Sequence, residues 1–160
     1  MKPPGLTVVA PGDREIVMTR AFDAPRELVF EAWTLPDRLV RWYGVFGGWE
    51  LVVCEIDLRV GGSCRFLWRG PEGEIGLRGV YRDIAPPERI VMTAAYDEHW
   101  YPGDETSTTT FVEDRGKTTV TTRLLYQSRD ARDAVLRSPM EKGVAGGYDS
   151  LDQLLAELAG

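Results

Sequence analysis

His99 is the only histidine in the sequence, and it sits in Asp97–Glu105, DEHWYPGDE, among four carboxylates. A histidine beside Asp97, Glu98, Asp104 or Glu105 has the partner that a general base needs, provided an apolar wall dries the site. A solvated loop histidine is the competing reading, and this polar stretch with its Pro and Gly favours it. Trp100 and Tyr101 follow and are placed to close over the mouth of a binding site, since binding residues concentrate on loops. The cysteines, Cys54 and Cys64, are too few for a disulfide framework and read as small buried hydrophobes. One histidine and two cysteines leave a zinc set without a fourth ligand, so neither metal nor cofactor is expected. No Gly-rich phosphate loop and no Ser nucleophile elbow occurs. Tyr81, Tyr96 and Tyr148 remain. Each phenol either orients a ligand or satisfies a backbone carbonyl, and both readings stay open. Asp57 and Arg59 fall in a tight turn, where an ion pair explains them better than catalysis.

The elements that must position these groups follow from pattern. Glu15–Phe22, EIVMTRAF, is β-branched and free of Gly and Pro, which predicts a strand. Asp23 before Pro25 has the form of a helix start, with Leu28, Val29, Ala32 and Trp33 as its apolar face. Pro36 ends that helix and opens a second over Asp37–Trp42. From Trp49 to Tyr126 the pattern is strands: Trp49–Asp57, Ser63–Arg69, Ile75–Ile84, Arg89–Tyr96, Thr106–Glu113 and Lys117–Tyr126. Gly61-Gly62, Pro71-Glu72-Gly73, Pro86-Pro87 and Arg115-Gly116 supply the turns, so the strands form an antiparallel meander. Ser128 caps a short helix over Arg129–Arg137. Ser138, Pro139 and Glu141 have the form of a capping box that opens a helix of about twenty residues. Met140, Val144, Tyr148, Leu151, Leu155 and Leu158 make its apolar stripe, with Leu154 beside it.

The expected architecture is α+β: a curved antiparallel sheet of about six or seven strands around a long C-terminal helix, with two short helices after the first strand. Residues 1–13 are expected to be a flexible leader, and 14–160 one domain. A single helix covers only a strip of such a sheet, so the twisted sheet must curl around it. Where sheet and helix diverge, apolar side chains line a gap, the usual form of a small-molecule site. Gly143, Gly146 and Gly147 on the helix and Gly79 on a strand are expected to enlarge it. The expected lining is Trp33, Trp42, Phe66, Trp68, Leu77, Tyr81, Met92, Tyr96, Thr122, Leu124, Val144, Tyr148 and Leu151. A filled core without a gap is the alternative.

Arg20–Pro25 (RAFDAP), Val29–Trp33, Thr34 and Trp42, then Asp57–Gly62 (DLRVGG), Gly79–Arg89 (GVYRDIAPPER) and Gly147–Leu151 (GYDSL) occur in that order. With them the chain resembles the activator of heat shock protein ATPase homologue (AHSA-like) family. That family lies within the START-like superfamily, with the polyketide cyclases and the birch-pollen-allergen fold. The resemblance covers nearly the whole chain from about residue 14 and implies the helix-grip fold, hence the cavity. It does not specify chemistry, because the superfamily holds carriers, receptors, cyclases and hydrolases.

Composition narrows the partners. A net charge of -6, with basic residues scattered among acids, argues against nucleic acid. No apolar run reaches the ~20 residues of a membrane span, and the N-terminus lacks a secretory pattern, so the cytosol is the expected setting. The expected function is binding of a small apolar or aromatic metabolite or lipid. A cavity enzyme of cyclase or hydrolase type is the alternative, and a co-chaperone-like module a third. An exposed edge strand would make a homodimer feasible.

Overall fold

A computed structural model of the chain describes residues 5–98 and 100–160, so His99 and the general-base reading attached to it lie outside the described residues. The first elements are β1 (Thr7–Val9), β2 (Glu15–Phe22), α1 (Arg26–Thr34) and α2 (Pro36–Leu39). The meander follows as β3 (Glu50–Ile56), β4 (Ser63–Gly70), β5 (Gly73–Ala85), β6 (Arg89–Tyr96), β7 (Glu105–Asp114) and β8 (Lys117–Leu125). Two helices close the chain, α3 (Arg129–Arg137) and α4 (Met140–Ala159). Among the described residues eight strands form one antiparallel sheet in the order β1-β2-β8-β7-β6-β5-β4-β3. This is the curved α+β architecture expected from pattern, with one strand more than foreseen.

The extra strand is β1. It lies in the stretch read as a loose leader, and pairs Thr7 with Thr19 and Val9 with Val17 of β2. Leu6 and Val8 pack on the core from there, which explains why so short a segment is held. The meander itself is written in alternation. In β8 every second residue, from Thr118 to Leu124, is buried and the residues between face outward or toward the rim. Arg115 and Gly116, both at positive φ, make the two-residue turn between β7 and β8. Bulges between Leu51 and Val53 and between Tyr81 and Asp83 add bend to β3 and β5.

Three helix boundaries differ from expectation. Asp23 does not cap α1; Pro25 holds that position, and the Arg26 N–H instead donates to Glu113 Oε1 of β7 at 2.7 Å. The second helix ends at Leu39, and the chain continues through turns to Gly44. Ser138 does not build a capping box for α4, which starts one residue beyond Pro139. Its hydroxyl donates to the Val135 carbonyl at 2.6 Å and accepts from the Met140 N–H, joining the two C-terminal helices.

The segments that carried the family resemblance act as fold devices. Arg20, 8% exposed, reaches from β2 to Asp149 at 2.9 Å and Asp152 at 2.6 Å on α4. Ser150 Oγ donates to the Val45 carbonyl at 2.9 Å. A Cβ on Gly147 would sit 2.8 Å from the Trp42 carbonyl oxygen, so only glycine lets α4 approach that backbone. In the β3–β4 turn the Gly61 N–H donates to the Tyr81 carbonyl at 2.8 Å. Arg59 and Asp57 there form the expected ion pair at 2.9 Å, largely exposed and therefore worth little.

Candidate functional site

Cross-strand neighbours point to one face, so the register identifies the inward side of the sheet. Leu77 opposes Tyr96 and Tyr81 opposes Met92; Ala94 opposes Glu105 and Met92 opposes Ser107; Ser107 opposes Leu124 and Thr109 opposes Thr122. Leu77, Tyr81, Ala94, Glu105, Leu124 and Thr122 are buried, which marks this as the concave face. The helix presents Val144, Tyr148 and Leu151 from the other side.

The buried side chains fall into two clusters. The larger joins Phe66, Trp68, Leu77, Tyr81, Trp42, Tyr148 and Leu151 with much of the sheet and α1. The smaller joins Ile16, Met18, Tyr101, Leu124, Tyr126, Ala131 and Val135. Leu6, Tyr96 and Val144 touch both. Tyr96 and Val144 on the seam between them, with Tyr43 and Met92 of the larger cluster and Ser107 of β7, are only partly buried.

The expected lining therefore divides. Trp42, Phe66, Trp68, Leu77, Tyr81, Tyr148 and Leu151 are buried in the large cluster, and Thr122 and Leu124 are buried beside it. Trp33, Met92, Tyr96 and Val144 keep accessible surface. Tyr148 meets Phe22, Trp33 and Trp42 with centroids 5.4, 5.8 and 5.9 Å away, an interlocked group of rings. Trp42 Nε1 donates to the Ala32 carbonyl at 2.9 Å, and Trp68 Nε1 to that of Tyr43 at 2.7 Å.

The gap expected beside Gly143, Gly146 and Gly147 is filled. Phe46 of the α2–β3 loop lies against Gly146, where a Cβ would come within 2.6 Å of its ring. Gly79 likewise makes room for Met92 Cε and Cys64 Sγ, at 2.9 and 3.1 Å from a notional Cβ. These glycines permit close packing. A separate open dent of about 290 Å³ lies at Glu55, Ile56, Asp57, Ser63 and Arg65, on the meander's edge, with charged walls.

Burial governs the chemistry of the interior. All six tyrosines have phenols pushed upward by desolvation, Tyr148 to about 12. Desolvation also raises both cysteine thiols, Cys54 and Cys64, to about 11, so neither is a ready nucleophile near neutral pH. Both thiols are free. Among the described residues no group of three or more His, Cys, Asp or Glu is placed to hold a metal ion.

Glu105 is the feature that sequence reasoning undervalued, since it read as one carboxylate of a polar loop. It opens β7 and is 8% exposed, the only buried acid among the described residues. The Tyr101 hydroxyl donates to Glu105 Oε2 at 3.3 Å. The buried Tyr126 hydroxyl faces the same carboxylate but lacks a partner at hydrogen-bond geometry. Desolvation raises the Glu105 carboxyl to about 6, and the two hydroxyls offset part of that rise.

A pH dependence follows. The folded chain holds the Glu105 proton up to about pH 6, whereas the unfolded chain releases it near 4.5. The folded state binds more protons in that window, so stability falls as pH rises through it, by about 2 kcal/mol in total. Glu105→Gln should be more stable than the parent by up to that amount near neutral pH, and equal to it below the window. Urea denaturation of both proteins on either side of the window measures the difference.

The profile of a family described as "Activator of Hsp90 ATPase homolog 1-like protein" matches residues 23–156. The fold is similar to that of a Rhodobacter sphaeroides protein at 30% identity and TM-score 0.89, covering 96% of this chain and 99% of that one. A Mycobacterium smegmatis protein aligns at 22% identity and TM-score 0.82, over 96% and 97% of the two chains. More distant is a Plasmodium falciparum protein titled an HSP90 activator, at 22% identity and TM-score 0.55 over 70% and 72%. No curated protein of significant similarity was found. Among the described residues no helix is long and apolar enough to cross a membrane.

Proposed function

The chain belongs to the family of Activator of Hsp90 ATPase homolog 1-like proteins, and from that premise we propose that it binds a small apolar or aromatic molecule between the concave sheet and α4. One observation carries the reading. Tyr43 and Tyr96 lie deep enough for desolvation to dominate their phenols, yet each keeps some surface that the protein does not cover. A side chain that is deep but uncovered borders space that another molecule can fill.

The residues around that space suit such a guest. Met92 and Val144 offer apolar surface, Met92 with a flexible end that adapts to shape. Tyr43 and Tyr96 offer ring faces, and Ser107 a small polar floor. These residues lie outside the segments that hold the fold together, apart from the shared strand scaffold. The ligand is thus free to differ among proteins that share the architecture. Trp100, 45% exposed, sets its ring tilted to Tyr96 and edge-on to Tyr101, centroids 5.8 and 4.8 Å away, where a lid over the mouth would sit. The free thiols suit a reducing compartment such as the cytosol. The open edge of β3, with Val52 exposed and Leu58 and Val60 exposed in the next turn, is the surface on which two copies would pair.

Calorimetric titration with naphthylmethanol tests the binding reading. Saturable one-to-one binding is expected, and a ligand at a hundred times its dissociation constant should add about 2.7 kcal/mol of stability. No binding of this or related neutral aromatics, with capture of a 90 kDa heat shock protein instead, would favour the co-chaperone reading that the Plasmodium protein's title suggests.

A further inference from the structure

Three charged side chains are buried among the described residues, and two of them are neutralised within the chain. Arg20 meets Asp149 and Asp152, and Arg132 meets Asp133 at 2.8 Å. Glu105 is the third, and none of the ion pairs among the described residues includes it. An ionised carboxylate without a cation is costly in such a place, and the one hydrogen bond from Tyr101 recovers only part of that cost.

The groups around it are aromatic. Tyr101 donates to the carboxylate from the β6–β7 connection, and Tyr126 faces it from the end of β8 with its hydroxyl unpartnered. Tyr96 of β6 and Tyr43 of the α2–β3 loop lie within its electrostatic reach, and Asp104 acts on the ring of Tyr101. The rings of Tyr96 and Tyr101 are 6.3 Å apart, and those of Tyr101 and Tyr126 5.5 Å, so the carboxylate adjoins a continuous aromatic wall. A carboxylate beside tyrosine rings is complementary to an organic ammonium, which donates a charge-assisted hydrogen bond to the carboxylate and gains cation–π attraction from a ring face.

We infer that Glu105, with Tyr43, Tyr96, Tyr101 and Tyr126, recognises a protonated amine carried on an otherwise apolar or aromatic ligand. This rests on the interior binding site proposed above and assigns its polar end. The guest's ammonium supplies the cation that no described residue pairs with Glu105, and its apolar body lies toward Met92 and Val144.

Three probes of one shape separate the possibilities: naphthylmethylamine, naphthylmethanol and naphthoate. Affinities measured by calorimetry at pH about 7.5 should rank amine, alcohol, acid, with the amine at least about tenfold tighter than the alcohol. The amine-to-alcohol ratio should fall to near one in Glu105→Gln. It should also fall in the parent protein as pH drops below about 6, because protonation removes the recognising charge. Running the pH series in a His99→Gln background as well prevents the loop histidine from supplying the step. Equal affinity for amine and alcohol, or a ratio that survives both Glu105→Gln and acid, would overturn the assignment while leaving the interior site intact. Failure of all three probes to bind would overturn both.

Discussion

Tyr148→Ala is expected to cost about 3–5 kcal/mol of stability, the range for truncating a large aromatic in a packed core. Tyr148 is 6% exposed and sits where α4 meets the ring group of Phe22, Trp33 and Trp42. Each of those ring pairs contributes beyond its buried area. Its hydroxyl lies near Thr122 of β8, and Tyr148→Phe removes only that hydroxyl while keeping the ring. The phenylalanine variant should therefore cost about 1 kcal/mol, the usual net worth of one hydrogen bond. Thermal unfolding separates the two, since a loss of 3–5 kcal/mol lowers the midpoint of a chain this size by roughly 10 °C. A loss as small for alanine as for phenylalanine would mean that the large cluster is not what anchors α4.

Ser107→Leu should behave in the opposite way, leaving stability almost unchanged while weakening naphthylmethanol binding by about tenfold or more. Ser107 lies on the inward face of β7, between Met92 and Leu124, and is only half-buried. In a filled interior the added carbons would force neighbours off their rotamers at a cost of about 1–3 kcal/mol. In a seam with room they occupy the space that a ligand's body would take. Denaturation and calorimetry on the same variant read both quantities. Strong destabilisation would indicate a filled core, and unchanged affinity would place the ligand elsewhere.

The sheet and long helix were legible because their signals are periodic and local. Alternation of Cys64, Phe66 and Trp68 in β4, the turn glycines, and the stripe from Met140 to Leu155 each point to one answer. How the interior is filled was not legible, because it depends on what occupies each glycine's vacancy. Gly146 was read as widening the interior, but Phe46, about a hundred residues earlier, occupies that volume. No local pattern links those two residues. Glu105 escaped notice for a related reason. Its strand, ETSTTTFVED, is polar on both faces over its first half, so alternation does not reveal which residues turn inward. Only pairing with β6 and β8 places Glu105 and Ser107 on the concave side. The capping errors share this origin, since Glu113 reaches the start of α1 from another strand and displaces the local candidate Asp23.

The claim that the seam is a binding site is tested most directly by nuclear magnetic resonance of labelled methyl groups during titration with naphthylmethanol. The Met92 ε-methyl and the methyls of Val144 and Ala94 should shift saturably, at one ligand per chain. Val112, 62% exposed on the outer face of β7, should not move. Saturable shifts confined to Val112 and other outer-face methyls, or none at Met92, Ala94 and Val144, would contradict the account.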